Sequence, residues 1–336
     1  MKLKNLLSLF SLCVVATAFA QYRDYSRMGK TPAELRFIEN PNDVELKEPS
    51  WFWYNPKYDT SDEQLRYADN LYREGEIEAA AEAYNDLVHE WHSSAEALRA
   101  QLMLAQIHDE LGNTRTAYEE YLYLLAYFAG RFELEPVLKS LLRLADAMVY
   151  EDQQATLGKY STTRLRANYE NIIHYAPRWS EVPTMLLNIA NLYAAEGNYS
   201  STLTICDRIV VQWSNYDQME TVVEVYCSAC YKLAQQWKND TGQLLKVERL
   251  LVGAMKYAPE HPNQETYKQW AQNIYEMRRN RSYEKALFYD NPAAYPIDST
   301  ILAYEQFLED FPDAKEAEQA RARLNELREG RAQQEK

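Results

Sequence analysis

A helix-turn-helix pattern appears twice between Leu65 and Leu124, and the two copies are 37 residues apart. In each copy, a small residue on the first helix is followed by a glycine at the turn and by an Ala-x3-Tyr pair on the return helix. These positions hold Ala68, Gly75, Ala80 and Tyr84 in the first copy, and Ala105, Gly112, Ala117 and Tyr121 in the second. Because one helix pair cannot bury its apolar face alone, the repetition predicts that such pairs stack.

This spacing is that of a tetratricopeptide repeat (TPR), whose helices approach closely only over small side chains. Later return helices stop in the same register at prolines, namely Pro177, Pro259 and Pro312, because a proline restricts the residue before it to extended conformations. The sequence predicts an all-α TPR solenoid of about six helix pairs, and an amphipathic helix from Ala314 to about Arg331 that caps the last pair.

The first 20 residues have the pattern of a cleavable secretory signal. Two lysines precede an apolar run from Leu6 to Phe19. Cleavage is expected after Ala20, because small residues, Ala18 and Ala20, stand three and one places before that bond. We therefore expect export to the periplasm. Lipid attachment at Cys13 is an alternative, but the residue before that cysteine is the large Leu12, where a lipobox has a small one.

Residues 21–60 contain four prolines and no helical periodicity, so they predict an extended leader before a repeat domain that covers residues 61–331. The leader ends in an aromatic tetrad, Trp51, Phe52, Trp53 and Tyr54. This tetrad either packs on the first repeat or contacts a partner protein. In the third helix pair, the stretch from Tyr150 to Thr163 predicts a long insertion loop.

No pattern of catalytic residues emerges. His89 and His92 are three residues apart, whereas two zinc ligands on one helical face need a spacing of four. The other histidines are scattered, so we expect no metal, no cofactor and no enzymatic activity. The 50 acidic residues against 36 Lys and Arg argue against a nucleic-acid partner, since phosphate binding needs clustered cations.

Three cysteines fall on predicted neighbouring helices. Cys227 and Cys230 lie in the middle of the first helix of the fifth pair, and Cys206 lies on the preceding return helix. Small-residue packing explains these positions without any bond. An exported location would also permit a disulfide from Cys206 to Cys227 or Cys230.

The first helices of a TPR stack line its concave side. The inward positions lie one and four residues after the small residue of a first helix. In the first, second and fourth pairs they are Asp69 and Tyr72, Gln106 and Asp109, and Asn191 and Ala194. None is basic, which argues against a clamp for a carboxyl terminus. A polar, slightly acidic groove of this kind favours an extended segment or a basic loop of another protein.

The chain closes with the segment AYEQFLEDFPDA, from Ala303 to Ala314, and with an Ala-rich helix that contains Ala317, Ala320 and Leu324. On these residues it resembles the BamD type (YfiO/ComL-like) of outer-membrane assembly protein. This resemblance implies a non-enzymatic periplasmic adaptor at the outer membrane, which binds the soluble domains of a barrel-assembly protein and assists barrel insertion.

Two features depart from the BamD pattern. Members of that family are typically lipid-anchored, and this repeat array is longer. Without an anchor, membrane association would come through the partner. The alternative is a periplasmic TPR protein of the Tol-Pal-associated type, which coordinates envelope construction or division, although the N-terminal heptads of a coiled coil are not visible here.

Overall fold

The computed structural model describes residues 54–154 and 158–334. The predicted signal peptide and the leader up to Trp53 lie outside these residues. The described part contains thirteen α-helices and no strand. The helices are α1 (Ser61–Glu74), α2 (Ile77–Glu90), α3 (Ala95–Glu110), α4 (Thr114–Tyr127), α5 (Leu134–Gln154), α6 (Gly158–Tyr175), α7 (Val182–Ala195), α8 (Tyr199–Gln212), α9 (Met219–Gln236), α10 (Thr241–Ala254), α11 (Gln264–Tyr289), α12 (Ile297–Asp310) and α13 (Ala317–Gln334).

The described residues form two compact units, which divide between Val182 and Pro183. The first unit holds α1 to α6, and the second holds nearly all of α7 together with α8 to α13. Within each unit, successive helices pack on one another, and first helices also contact the next first helix, α1 with α3 and α9 with α11. This is the packing of TPR-type helix pairs. The predicted fold class, all-α with six such pairs and a final helix, is confirmed.

Short polar side chains fix where several helices begin. The side-chain oxygens of Thr60, Ser94, Asn198 and Asp240 each accept a hydrogen bond from a backbone N–H in the first turn of the following helix. Such N-caps satisfy donors that have no partner inside the helix. Each of these residues directly precedes its helix, so the sequence itself marks these starts.

The turns inside three helix pairs share one geometry. At Gly75, Gly112 and Gly197 the backbone is left-handed, with φ of 85°, 71° and 75°. In each turn the residue after the glycine donates its N–H to a carbonyl five residues earlier, as Glu76 does to Leu71 at 3.0 Å. This is the Schellman arrangement, which ends a helix at a glycine because L-residues resist positive φ. The repeat predicted from the sequence therefore has a physical basis in these turns.

The repeated positions are buried as the pattern requires. Ala68, Ala80, Tyr84 and Leu87 are fully buried in the first pair, and Ala105, Ala117 and Leu124 in the second. In the second unit, Thr202 on α8 donates to the Ala190 carbonyl on α7 at 3.4 Å. Alanine at these contacts lets two helix backbones approach closely, so the small residues decide the pairing.

The prediction of an insertion loop from Tyr150 to Thr163 needs correction. Helix α5 continues to Gln154 and α6 begins at Gly158, so most of this stretch extends the two helices. The stretch contains no proline, and Glu151, Asp152 and the two glutamines that follow leave the helix unbroken. Its length predicted a loop, although its composition favours helix.

The last helix covers the apolar side of the sixth pair. Ala320 and Leu324 of α13 join a buried cluster that includes Tyr304, Phe307 and Phe311. Burial of these aromatic rings supplies much apolar contact area at this end of the second unit. The helix that the sequence predicts as a cap is present at this position.

Gly197 offers a test of the turn geometry. An added Cβ would meet no atom within 4 Å, so the cost of Gly197→Ala is conformational. A left-handed L-residue costs about 1–2 kcal/mol, and the free energy of unfolding should fall by that amount. Chemical denaturation followed by circular dichroism measures it.

Gly253, inside helix α10 of the same unit, provides the matched control. A Cβ added there also meets no atom within 4 Å, but φ is not positive. Gly253→Ala should therefore raise the free energy of unfolding by about 0.5–1 kcal/mol. Equal effects of the two substitutions would contradict the left-handed turn at Gly197.

Candidate binding groove

A cavity of about 420 Å³ lies in the second unit, on the side to which the first helices α7, α9 and α11 contribute. Asn191 and Ala194 of α7 line it, and so do Ser228 and Ala229 of α9. Its volume falls within the usual range of ligand pockets, about 300–1,000 Å³. The small side chains leave this space because they fill little of the gap between neighbouring helices.

Aromatic rings from two helices form the walls of the cavity. Tyr199 comes from the start of α8, and Tyr267 and Trp270 come from α11. Trp270 stacks on Tyr231 of α9, with ring centroids 4.8 Å apart and planes 10° apart, and its centroid is 5.5 Å from that of Tyr267. This stacking fixes the indole, which is half-buried and faces the cavity with part of its surface.

The buried Tyr267 keeps its proton. Burial is the main cause that raises the pKa of its hydroxyl, and the nearby charge of Glu224 raises it further. Because an unperturbed tyrosine already titrates near pH 10, this hydroxyl stays neutral at physiological pH.

Two opposite charges stand at the rim, both on helix α9. Glu224 and Lys232 line the cavity and are exposed. The ammonium nitrogen of Lys232 is 5.6 Å from the centroid of the Tyr199 ring, which is within the range of a cation–π interaction. Asn263 and Thr266, near the start of α11, add exposed polar groups to the same rim.

Of the groove positions predicted from the sequence, Asn191 and Ala194 line this cavity. The other four, Asp69, Tyr72, Gln106 and Asp109, belong to the first unit. Asp69 on α1 accepts a hydrogen bond from the Tyr84 hydroxyl of α2 at 2.7 Å and forms an ion pair with Arg99 of α3, also at 2.7 Å. Its carboxylate thus ties three consecutive helices together.

Asp109 and Tyr72 have similar structural roles. Asp109 of α3 forms an ion pair with Arg143 of α5, and the Tyr72 hydroxyl of α1 donates to Glu110 of α3 at 3.1 Å. Gln106 is exposed. In the first unit, arginines of this chain pair with both aspartates. Binding of a basic partner segment by these residues stays a prediction.

The sixth helix pair repeats the arrangement of the first. Asp290, at the end of α11, accepts from the Tyr304 hydroxyl of α12 at 3.1 Å and from Arg323 of α13 at 2.8 Å through two nitrogens. Hydrogen bonds from Arg323 are the main cause that lowers the pKa of this carboxyl. A buried tyrosine, an aspartate and an arginine on consecutive helices thus form the same bridge in both units.

The end of the leader packs on the first helix pair. Tyr54 stacks on the buried His89, with ring centroids 3.6 Å apart. Gln64 accepts hydrogen bonds from the backbone N–H groups of Lys57 and Tyr58 at 3.0 and 3.3 Å. The rest of the aromatic tetrad lies outside the described residues, and a partner contact there stays a prediction.

Cys206, Cys227 and Cys230 are buried free thiols. The structure contains no bond between them, so the disulfide from Cys206 to Cys227 or Cys230 is not formed in it. Burial raises the pKa of Cys206 and of Cys227 to about 12, and that of Cys230 well above its usual value. Thiols that stay protonated are poor nucleophiles, which favours the packing role.

The described residues contain neither a metal-binding cluster nor a membrane-spanning helix. No group of three or more His, Cys, Asp and Glu side chains among them could hold a metal ion. None of the described helices combines the length and the apolar character that crossing a membrane requires.

Comparison of the sequence with protein-family models and with curated proteins gives no match. Among solved structures, this chain is similar to a thermophilic TPR protein of Thermus thermophilus. The two sequences are 19% identical, the match covers 63% of this chain and 98% of that chain, and the TM-score is 0.26. A tetratricopeptide repeat protein of Parabacteroides merdae matches at 12% identity over 77% and 96%, with a TM-score of 0.29. The C-terminal part of a TPR repeat-containing protein of Cytophaga hutchinsonii matches at 13% identity over 76% and 98%, with a TM-score of 0.26. Because these TM-scores are low, the TPR repeat class is assigned from the packing of the helix pairs themselves.

Sequence reasoning missed the cavity's aromatic walls and its two charges. Asn191 was predicted because it directly follows the small residue of α7. If Cys227 is the small residue of α9, the positions one and four residues after it are Ser228 and Tyr231. Tyr231 then leads to its stacking partner Trp270, but only the structure shows that contact. The repeat register thus pointed to the groove residues of α9, but no sequence pattern pointed to Trp270 on α11.

The bridge at Asp69 predicts a loss of stability on its removal. Asp69→Ala leaves the buried Tyr84 hydroxyl and Arg99 without their acceptor, which should lower the free energy of unfolding by about 1–3 kcal/mol. Gln106 is the equivalent residue one repeat later and is exposed, so Gln106→Ala should change stability by no more than about 0.5 kcal/mol. Urea denaturation measures both, and equal stabilities would show that the bridge contributes nothing.

The thiols give a second prediction. In the native protein at pH 8, Cys206, Cys227 and Cys230 should react slowly with dithionitrobenzoate, because burial keeps them protonated. In denaturant without a reductant, all three should react. A denatured count that is lower by two thiols would show that the disulfide forms after all.

Proposed function

We propose that this chain is a protein-binding scaffold and that the groove of its second unit holds an extended polypeptide segment. We call the cavity lined by α7, α9, α11 and the start of α8 the groove. The observation that carries the proposal is its construction from small floor residues, aromatic walls and a polar rim. The TPR-type fold supports the same class of function, since concave surfaces of stacked helix pairs serve as binding surfaces.

The chemistry of the groove suits a polypeptide backbone. Each peptide group carries both a donor and an acceptor, and an asparagine side chain can pair with both. Asn191 and Asn263 place two such amides on different helices at the rim. The small residues Ser228 and Ala229 allow a backbone to approach the floor, while Trp270 offers a flat apolar surface to a side chain.

We further propose that the protein works in the periplasm as an adaptor at the outer membrane, similar to the BamD type, and assists the assembly of β-barrel proteins. The secretory pattern of the first 20 residues and the closing segment from Ala303 to Ala314 support this proposal. Its partners would then be the soluble domains of a barrel-assembly protein, and membrane association would come through them.

A pull-down from bacterial envelopes tests the proposal. The tagged wild-type protein should retain the barrel-assembly partner, and Trp270→Ala should reduce its recovery severalfold because it removes a wall of the groove. Trp270→Phe, which keeps a ring to stack on Tyr231, should restore part of the binding. Tyr257→Ala is the control, since this exposed tyrosine of the same unit does not line the groove.

Circular dichroism melting curves would check that each variant is folded before the recoveries are compared. Recovery that is equal for all three variants would contradict binding through the groove. The wild-type protein could instead recover division proteins, and Trp270→Ala could lose them. That result would support binding through the groove but would replace the adaptor role with the Tol-Pal-associated alternative.

A further inference from the structure

We propose that the groove selects its segment by charge pattern: a basic and an acidic side chain about four residues apart, with an aromatic side chain between them. The proposal rests on the proposed function, because it specifies which polypeptide the groove accepts. Three observations carry it, namely the positions of two rim charges, the shape of the space between them, and the lack of an oppositely charged internal partner for either charge.

The spacing follows from helix geometry. Glu224 and Lys232 lie on one side of α9, eight residues apart, and both line the groove. At a rise of 1.5 Å per residue, their backbones are about 12 Å apart along the helix axis. An extended chain rises about 3.3 Å per residue. A segment that runs along α9 therefore meets both charges with residues about four positions apart.

The space between the charges fits a flat ring. Val225, Ser228 and Ala229 separate them on α9, and none of these side chains fills the cavity. The wall on α11 consists of Tyr267 and of Trp270, whose plane is set by the stacked Tyr231. An aromatic side chain at the centre of the segment could pack edge-to-face or offset-stacked against this wall.

The charges themselves are available to a ligand. In the part of the chain that the structure describes, neither Glu224 nor Lys232 has an oppositely charged side chain within 4.0 Å. The aspartates of the first unit differ, since Asp69 and Asp109 are each neutralised by an arginine. A ligand with charges of opposite sign complements both ends of the groove, whereas a ligand with two like charges meets repulsion at one end.

Fluorescence anisotropy with three labelled peptides tests the charge pattern. The probes are Gly-Lys-Ser-Phe-Ser-Glu-Gly and its two like-charge versions, one with Lys at both charged positions and one with Glu at both. The wild-type protein should bind the mixed peptide tightest. Exposed charge pairs contribute about 0.2–1 kcal/mol each, so each wrong charge should weaken binding by a factor of about 1.4 to 5.

Charge reversal of the protein should reverse the preference. Glu224→Lys presents two bases and should bind the peptide with two Glu tightest, and Lys232→Glu should bind the peptide with two Lys tightest. Both substitutions are at exposed positions, so the fold should be retained. A fourth probe, in which two further serines separate the Lys and Glu to six residues, tests the distance and should bind more weakly than the mixed peptide.

The outcomes separate this inference from the proposed function. If peptides bind and Trp270→Ala abolishes binding, but neither charge nor spacing matters, the groove binds polypeptide and the charge pattern is wrong. If the peptides bind equally to wild type and to Trp270→Ala, or no peptide binds at any concentration tested, the groove is not the binding site and both proposals are overturned.

Discussion

Close contact of helices over small side chains is the interaction on which both units depend. Ala68 and Ala80 are fully buried in the first pair, and Ala190 has the same role on α7. Larger residues there would separate the helices and break the packing that each pair needs from its neighbours. The same rule shapes the groove, because Ser228 and Ala229 leave space between first helices that a longer side chain would fill. The packing of the helix pairs and the groove thus have a common origin.

Charged groups divide into two classes by whether a side chain of opposite charge on a neighbouring helix reaches them. Asp69 and Asp290 each accept from a tyrosine and an arginine, and each joins three consecutive helices. Such carboxylates act as structural bridges. Glu224 and Lys232 lie where the neighbouring first helices present aromatic and amide groups instead. Position within the repeat alone therefore does not reveal which charged residues pair with a side chain of opposite charge inside the protein.

Much of the fold follows from local sequence signals. Glycines at the turns, the regular spacing of Ala and Tyr, and the prolines after the return helices gave the helix pairs their predicted register, because each signal depends on only a few neighbouring residues. The continuation of helices α5 and α6 into the stretch from Tyr150 to Thr163 was missed. The length of that stretch suggested a loop, although its composition favours helix. Of the site, the repeat register pointed to residues of α7 and α9 such as Asn191 and Ser228, but not to the aromatic wall on α11. Contacts such as Asp109 with Arg143 or Tyr231 with Trp270 join residues more than thirty positions apart, and no local pattern encodes them.

Site-specific photocrosslinking in living cells tests the central claim most directly. The photoreactive residue p-benzoylphenylalanine would replace Thr266 at the exposed rim of the groove. In a second protein it would replace Leu302, which is 55% exposed on α12 and does not line the groove. Our account predicts a crosslinked polypeptide from position 266 and none from 302, with the crosslinked peptide mapping to one short segment of the partner. Crosslinks from 302 alone would contradict it.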